Sequence, residues 1–334
     1  MNRTLVVLFA LGLAAAAGAG LAWHQYGAAP LPMQASPMRL RVDRGASLAA
    51  VGASLRAQGV DLPAWRLALA ARLRGDGHAI KAGVYELSSP LTLAGLLDKL
   101  VRGEVLLFDL TVVEGWTFRQ MREAMARHPE LLHDSAGAAD AEILKRVGAT
   151  EPHPEGLFFP STYRFSPGSS DFEILAQAYR LMKQTLAEAW AARATGLPLA
   201  DPYEALVLAS IVEKETGRPE DRDKVAGVFV NRLRLGMMLQ SDPTTIYGLG
   251  ERFDGNLRRD DLRAPTPYNT YTRAGLPPTP IALPGRDAIA ATLRPADTRA
   301  LYFVARGDGS SEFSETLAAH NRAVARYQLG QGRR

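Results

Sequence analysis

The chain opens on a long apolar segment without a charged residue. Leu5 to Trp23 is an apolar run of 19 residues, and Arg3 precedes it. A helix of that length can cross a bilayer, and flanking basic and aromatic residues are typical of membrane anchors. The stretch after the run contains three prolines and no charge up to Pro37. The pattern predicts a cytoplasmic tip at 1–4, a transmembrane anchor at 5–23 and a linker at 24–37.

The orientation and fate of this segment leave two interpretations. The basic residue before the run favours a cytoplasmic N-terminus and an exported remainder. The alternative is a cleaved signal peptide, because the small residues from Ala15 to Gly20 offer cleavage sites. The run is longer than the apolar core of a typical signal peptide, so we favour a retained, single-pass anchor.

Short predicted strands and helices follow the proline-containing stretch. The residues after Met38 alternate between apolar and polar positions as in a strand, and two capped helical patterns and a second strand come next. The predicted elements are a strand at 39–43, helices at about 48–58 and 64–73, a strand at 82–86 and a helix at about 93–101. Residues 38–105 therefore form a small predicted α+β unit.

Longer helical patterns occupy the remainder of the chain. Together with the predicted strands, they place the chain in the α+β fold class. Apolar spacing and capping residues predict helices at 118–128, 140–147, 172–190, 202–216, 219–235 and 316–328, and a hairpin at 301–305 and 312–314. Prolines, glycines, threonines and tyrosines dominate residues 239–285, and an irregular stretch of that length is usually functional. Residues 329–334 are predicted to be a disordered tail.

One predicted helix places a carboxylate on an apolar stripe. Residues three, four and seven positions before Glu215 are Val212, Ile211 and Leu208, which share its helical face. Burial against apolar side chains raises the pKa of a carboxyl group, as a general acid at neutral pH requires. Glu213 lies about 200° round the helix, so the two acids cannot serve one site equally. Asp201, Pro202 and Glu204 mark a strong helix start.

The long stretch after this helix has the side chains that suit a carbohydrate. Tyrosine faces stack on sugar rings, and amides and hydroxyls hydrogen-bond to sugar hydroxyls. The alternative is an ordinary packed loop that uses asparagine and proline as turn formers. The candidate substrate-binding residues are Gln240, Ser241, Asp242, Thr244, Tyr247, Tyr268, Asn269, Thr270 and Tyr271.

The composition of the chain reduces the number of catalytic and binding chemistries to be considered. The chain has no cysteine and its six histidines form no metal-binding spacing, so we predict no metal and no thiol catalysis. Phosphate-binding and dinucleotide-binding glycine motifs are missing, and we expect no cofactor. The net charge of +4 is modest, and basic residues such as Arg258, Arg259 and Arg263 are interspersed with acids. Nucleic-acid binding is therefore not expected.

Several sequence blocks in this order closely resemble the YceG-like family of endolytic murein transglycosylases. The blocks are Glu155-Gly-Leu-Phe-Phe-Pro160, Ala209-Ser-Ile-Val-Glu-Lys-Glu-Thr216, Asn231-Arg-Leu233, Leu239-Gln-Ser-Asp-Pro243, Tyr268-Asn-Thr-Tyr271 and Gly275-Leu-Pro-Pro278. The block ending at Thr216 is also similar to the helix end of lysozyme-like transglycosylases, whose last glutamate matches Glu215. One residue departs from the family pattern: Ser161 stands where an acid is expected, which puts support of the cleft by that acid in doubt.

The resemblance implies an architecture and a location. It implies a LysM-like subdomain at 38–105 and a YceG-like catalytic domain with a lysozyme-like catalytic helix at 106–328. It also implies a single-pass protein of the inner membrane with the catalytic domain on the periplasmic side. The expected partners are peptidoglycan strands and the membrane, and the family suggests penicillin-binding synthases beside nascent strands.

The resemblance also implies an activity. The expected reaction cleaves the β-1,4 bond between N-acetylmuramic acid and N-acetylglucosamine within a strand, with Glu215 as the only acid and base. The product is a 1,6-anhydromuramyl end, and the cut would terminate elongation of a nascent strand. Two alternatives stay open: a hydrolytic muramidase, for which Asp242 or Glu213 would be the second acid, and a non-catalytic wall-binding assembly protein.

Overall fold

The computed structural model describes residues 3–77 and 79–330, and within α-helix 1 it leaves out the side chains of residues 3–6, 15, 16, 19 and 22–26. The described residues form a mixed α+β fold with helices and small two-stranded sheets, which confirms the predicted class. The chain divides into two units. Unit 1 comprises Met1–Phe108 and Arg164–Gly168, and unit 2 comprises Asp109–Tyr163 and Ser169–Arg334.

Unit 1 contains a strand–helix–helix–strand order followed by a third helix. Its elements are α1 (Arg3–Gly27), β1 (Met38–Val42), α2 (Leu48–Ala57), α3 (Ala64–Arg74), β2 (Gly83–Leu87) and α4 (Leu93–Arg102). β1 and β2 pair antiparallel, with Met38 opposite Leu87 and Val42 opposite Gly83. Alternate residues of β1 are buried, so one face of this ribbon packs on a core that α2, α3 and α4 complete.

The predicted anchor lies within α1. Among the described residues, no helix meets the length and apolarity needed to cross a membrane, so the predicted transmembrane segment at 5–23 is not confirmed. Residues 1 and 2 of the predicted cytoplasmic tip and residues 331–334 of the predicted tail lie outside the described residues.

The predicted linker is not a free tether. α1 continues to Gly27, and the residues after it are fastened to the core of unit 1. The Leu31 N–H donates to the Leu91 carbonyl at 2.6 Å, the Gln34 N–H donates to the Gly59 carbonyl at 3.1 Å, and the Leu31 side chain belongs to the core. The prolines suggested a flexible spacer, but the two apolar side chains between them, Leu31 and Met33, pack against unit 1.

Unit 2 is mainly helical, and the predicted helices lie within a few residues of the observed ones. Its helices are α5 (Phe118–Arg127), α6 (Asp140–Val147), α7 (Asp171–Ala191), α8 (Pro202–Glu215), α9 (Pro219–Arg234), α10 (Asp242–Leu249), α11 (Arg259–Arg263), α12 (Arg286–Leu293) and α13 (Leu317–Val324). Its strands, with β3 and β5 starting or ending in unit 1, are β3 (Phe108–Thr111), β4 (Leu131–Leu132), β5 (Thr162–Phe165), β6 (Ser169–Ser170), β7 (Tyr302–Ala305) and β8 (Ser311–Ser314).

The centre of unit 2 is α8. Eight consecutive residues from Ala205 to Val212 are buried, and α7, α9, α10 and α12 all contact the helix. The sequence suggested one apolar stripe, whereas the helix is enclosed on all sides, as expected for a core helix. Asp201 accepts the Glu204 N–H at 2.9 Å, and Glu204 accepts the N–H of Ala200. The N-terminal end of this buried helix is therefore fixed.

Candidate active site

The C-terminus of α8 ends in a carboxyl group that faces a polar loop. Glu215 is the last residue of the helix, and its Oε1 accepts a hydrogen bond from Ser241 Oγ at 2.6 Å. Burial raises the pKa of Glu215 to about 7, and the negative charge of Asp242 also raises it, while the Ser241 hydrogen bond and the charge of Arg232 lower it. Near neutral pH this carboxyl group is therefore present in both its protonated and ionised forms.

The neighbouring acid on α8 has a different environment. Glu213 Oε2 accepts the backbone N–H of Gly285 at 2.8 Å, and burial also raises the pKa of Glu213. The hydrogen bonds thus separate the two glutamates, one to Ser241 and the other to the start of α12. This agrees with the helical geometry, which predicts that they cannot serve one site equally.

The loop before α10 presents Ser241 to Glu215 through bonds to a distant segment. The Gln240 N–H donates to the Thr270 carbonyl at 3.0 Å, and the Ser241 N–H donates to Thr270 Oγ1 at 3.0 Å. Gln240 adopts a φ of 53°, a left-handed conformation that costs a non-glycine residue about 1 kcal/mol or more. Thr244 and Thr270 are buried, and their hydroxyls lie 2.8 Å apart. These two threonines support Ser241 from behind.

Asn269 stabilises the same loop through hydrogen bonds of its side-chain amide. Its side chain is fully buried, and its amide nitrogen donates to the backbone carbonyls of Asp261, Leu262 and Ala264. Its amide oxygen accepts the Tyr271 N–H at 2.9 Å. The sequence proposed Asn269 as a sugar-binding residue, whereas in this structure its amide is fully engaged with the protein.

Two further candidates lie beside Glu215. Tyr271 Oη donates to Asp242 Oδ1 at 2.6 Å. Burial and the negative charges of Asp242 and Glu215 raise the pKa of Tyr271 above its ordinary value. The structure therefore brings Glu215, Ser241, Asp242 and Tyr271 together, with Gln240 next to them.

Arg232 is a residue of this site that the sequence analysis missed. It lies on α9, is only 7% exposed, and donates to the carbonyls of Leu301, Met238 and Leu239 and to Gln240 Oε1. Its charge acts on Glu215. A signal was present, because Val225, Val228, Phe229 and Arg232 repeat at the spacing of a buried helix face.

The remaining tyrosines belong to a second buried group centred on Glu155. Tyr247 Oη donates to Glu155 Oε2 at 3.1 Å, and the Phe118 N–H donates to Glu155 Oε1 at 2.9 Å. Tyr247 and Tyr268 pack edge to face, and the Tyr268 hydroxyl lies 2.9 Å from that of Thr279. Burial raises the pKa of Glu155 to about 7. Through Tyr247, Glu155 holds α10, the helix that begins beside Glu215.

The carbonyl of Ser161 accepts the Val112 N–H at 2.9 Å, at the start of β5. Within residues 3–77 and 79–330, no group of three or more histidine, cysteine, aspartate or glutamate side chains is arranged to hold a metal ion. The chemistry that the described site offers is that of a carboxyl group with hydroxyl and amide neighbours.

Replacing Ser241 by alanine tests the hydrogen bond to Glu215. We expect the Ser241→Ala variant to have a Glu215 pKa further above its ordinary value, because the lost bond stabilised the ionised carboxylate. The measurement is a pH titration of the carbon-13 signals of labelled glutamate carboxyls. Ser310→Ala, in the exposed turn between β7 and β8, is the matched control. An unchanged Glu215 titration in Ser241→Ala would contradict the assignment.

The buried Glu155 predicts an unusual dependence of stability on pH. Its pKa is about 7 in the folded chain and about 4.3 in an unfolded one, so the folded state holds the proton more tightly. Stability from this group is therefore complete below pH 4 and is lost as the pH rises to about 7, by about 3 kcal/mol. Urea unfolding should show a smaller loss between about pH 5 and pH 8 for Glu155→Gln than for the parent. Equal losses would show that Glu155 titrates normally.

Comparisons with known proteins relate the chain to one family. The model of the YceG-like family matches residues 40–326. A protein of Bacillus subtilis named endolytic murein transglycosylase is 30% identical over 307 residues, covering 87% of this chain and 84% of the relative. A Streptococcus pneumoniae protein of the same name is 26% identical over 97% of this chain, which spans only 65% of the relative. A crystal structure of a YceG-like protein from Listeria monocytogenes matches with a TM-score of 0.54 at 29% identity, covering 86% of this chain and 98% of that one.

Proposed function

Since this chain belongs to the YceG-like family, we propose that it is a lytic transglycosylase that cuts the glycan strands of murein internally. The observation that carries the proposal is the environment of Glu215, a half-buried carboxyl group with a pKa raised to about 7 and a hydrogen bond from Ser241. Such a group can donate a proton and then accept one at the same pH.

In the first step, protonated Glu215 donates to the glycosidic oxygen between N-acetylmuramic acid and N-acetylglucosamine. The bond from that oxygen to muramyl C1 breaks, and positive charge develops on C1 and the ring oxygen. Glu215 becomes ionised, and the Ser241 hydroxyl stabilises the new carboxylate through its bond to Oε1. We propose Tyr271 and Gln240 as the side chains that hold the sugar rings, with Tyr268, which packs against Tyr247, as a further candidate.

In the second step, the carboxylate of Glu215 takes the proton of the muramyl C6 hydroxyl. The C6 oxygen bonds to C1, which closes the 1,6-anhydro ring and restores the protonated acid. No water enters the reaction, and one carboxyl group performs both proton transfers. Asp242 is not needed as a second acid, and its bond from Tyr271 gives it a part in fixing the loop.

The mass of the new ends tests this proposal against hydrolysis. Purified protein is incubated with uncrosslinked murein strands, and the released fragments are analysed by mass spectrometry. Anhydro ends are about 18 Da lighter than the reducing ends that a muramidase leaves. Anhydro ends at internal cuts support the proposal. Reducing ends alone would make the chain a muramidase, and binding without cleavage would make it a wall-binding protein.

The proposed location and partners follow from the substrate. We propose that unit 2 works on the periplasmic side of the inner membrane, where nascent strands are made, and that its cuts end their elongation beside penicillin-binding synthases. The β1–α2–α3–β2 order of unit 1 supports a LysM-like subdomain that binds glycan. Protease accessibility of unit 2 in intact spheroplasts tests the location, since a cytoplasmic unit would be protected.

A further inference from the structure

One helix of unit 1 leaves a row of large apolar side chains exposed. Trp65, Leu69 and Leu73 of α3 are 63%, 47% and 69% exposed, and their spacing of four residues aligns them along one side of the helix. The opposite side of α3 carries Leu67, Ala70 and Ala71, which are buried in the unit 1 core. We call the row of Trp65, Leu69 and Leu73 the α3 ridge. Single exposed apolar residues are common, but an aligned row with a tryptophan marks a binding surface.

The charges around the α3 ridge are positive. α3 contains three arginines and no acid. Arg74 is paired with Asp76 and Asp98. Arg66 and Arg72 are exposed at the surface, and the Arg66 guanidinium lies 5.6 Å from the centroid of the Trp65 ring. At about 100° per residue, Arg72 and Arg66 lie on the two sides of the ridge. The ridge is therefore an apolar strip between two cationic side chains.

The charge of the whole unit has the same sign. Residues 38–105 contain ten basic and six acidic residues, a net charge of +4, which equals the formal net charge of the complete chain. The residues outside 38–105 are thus neutral overall, and the net positive charge of the chain lies in this segment of unit 1. A surface of this kind is attracted to a negatively charged partner.

We propose that the α3 ridge docks on an anionic lipid surface, with Trp65, Leu69 and Leu73 in the headgroup region and Arg66 and Arg72 against lipid phosphates. Leucine side chains offer no hydrogen bonds to a glycan, whereas a tryptophan flanked by leucines and arginines suits the membrane interface. Within unit 1, the apolar α1 is joined closely to the core that contains α3, because Leu31 and Met33 fasten the intervening residues to that core.

A single label on the ridge tests the docking in the complete chain. The sequence contains no cysteine, so Leu73→Cys provides one attachment point for an environment-sensitive fluorophore. The labelled full-length chain is mixed with vesicles of phosphatidylcholine, alone or with phosphatidylglycerol. Ala57→Cys, at an exposed position at the end of α2, is the matched control. Attachment through α1 alone would leave both labels in water.

The proposal expects a blue shift of the Leu73 label, and quenching by lipid-borne spin labels, with the anionic vesicles and not at Ala57. Adding Arg66→Glu and Arg72→Glu should weaken the docking, since each basic residue at an anionic surface contributes roughly fivefold to binding. Equal spectra in both vesicle types would overturn the proposal. A shift produced by soluble murein strands or by raising the protein concentration, without vesicles, would assign the ridge to glycan or to a second copy instead.

Discussion

The Glu215→Gln variant is expected to lose glycan cleavage almost completely. The amide has nearly the same shape and can still accept the Ser241 hydroxyl, which bonds to Oε1 at 2.6 Å, but it can neither donate nor accept the transferred proton. General acid–base catalysis contributes roughly 100-fold to 10,000-fold, and here one group performs both transfers. We therefore expect the rate to fall by roughly 1,000-fold or more, measured as anhydro ends formed over time by the purified chain.

Glu213→Gln is the matched control on the same helix. Glu213 is half-buried and also has a raised pKa, but its Oε2 accepts the Gly285 N–H, whereas the Ser241 hydroxyl donates to Glu215. We expect this variant to keep most of its activity and to lose some stability. If Glu213→Gln lost the activity and Glu215→Gln kept it, the two roles would have to be exchanged. Glycan binding by Glu215→Gln should persist, which separates lost chemistry from lost folding.

The position of Glu215 was predictable because it depends on local geometry. Leu208, Ile211 and Val212 are all fully buried, and helical spacing alone puts Glu215 on their face. The extents of α6 and α9 were also predictable, because each segment has apolar spacing, Gly148 follows α6 and Pro219 begins α9. These features need only contacts between residues that are near in sequence.

The rest of the site depends on contacts between distant segments. Ser241 reaches its position through Thr270, and Glu155 meets Tyr247 across 92 residues. The sequence alone does not show which residues from distant segments come into contact. The irregular stretch at 239–285 could be identified as functional, but the helices α10 and α11 within it are short and polar, so their periodicity is weak. The same limit explains why Asn269 was expected on the substrate and lies within the loop.

Glu155 and Arg232 show that a buried charged residue can be identified in the sequence from the apolar residues around it. Each stands at a position that its neighbours mark as interior: Arg232 on the apolar face of α9, and Glu155 just before the apolar residues Leu157, Phe158 and Phe159. A charged side chain at such a position must be paired or hydrogen-bonded, and both are. A charged residue at a position where the pattern predicts an apolar one is therefore a candidate for a residue that holds a functional site in place.

Arg232→Met is expected to destabilise the chain and to disable the site together. Methionine fills much of the volume of the arginine stem, but the buried carbonyl of Leu239 and the partly buried carbonyls of Met238 and Leu301 lose their donor. Unsatisfied buried groups cost about 1 to 3 kcal/mol each, so we expect unfolding in urea to show a loss of about 3 kcal/mol or more. The pKa of Glu215 should rise as well, because the positive charge that lowers it is gone.

Arg234→Met, two residues further along α9, separates this effect from the loss of any arginine. Arg234 is exposed, and its bonds to Asn231 and to the Gly196 carbonyl lie at the surface, so we expect a stability change within about 0.5 kcal/mol. Where Arg232→Met stays folded, its cleavage rate should still fall, since Gln240 and the backbone before Ser241 have lost their anchor. Equal stability and equal cleavage rates in the two variants would show that the Ser241 loop is held by Thr270 and Asn269 without Arg232.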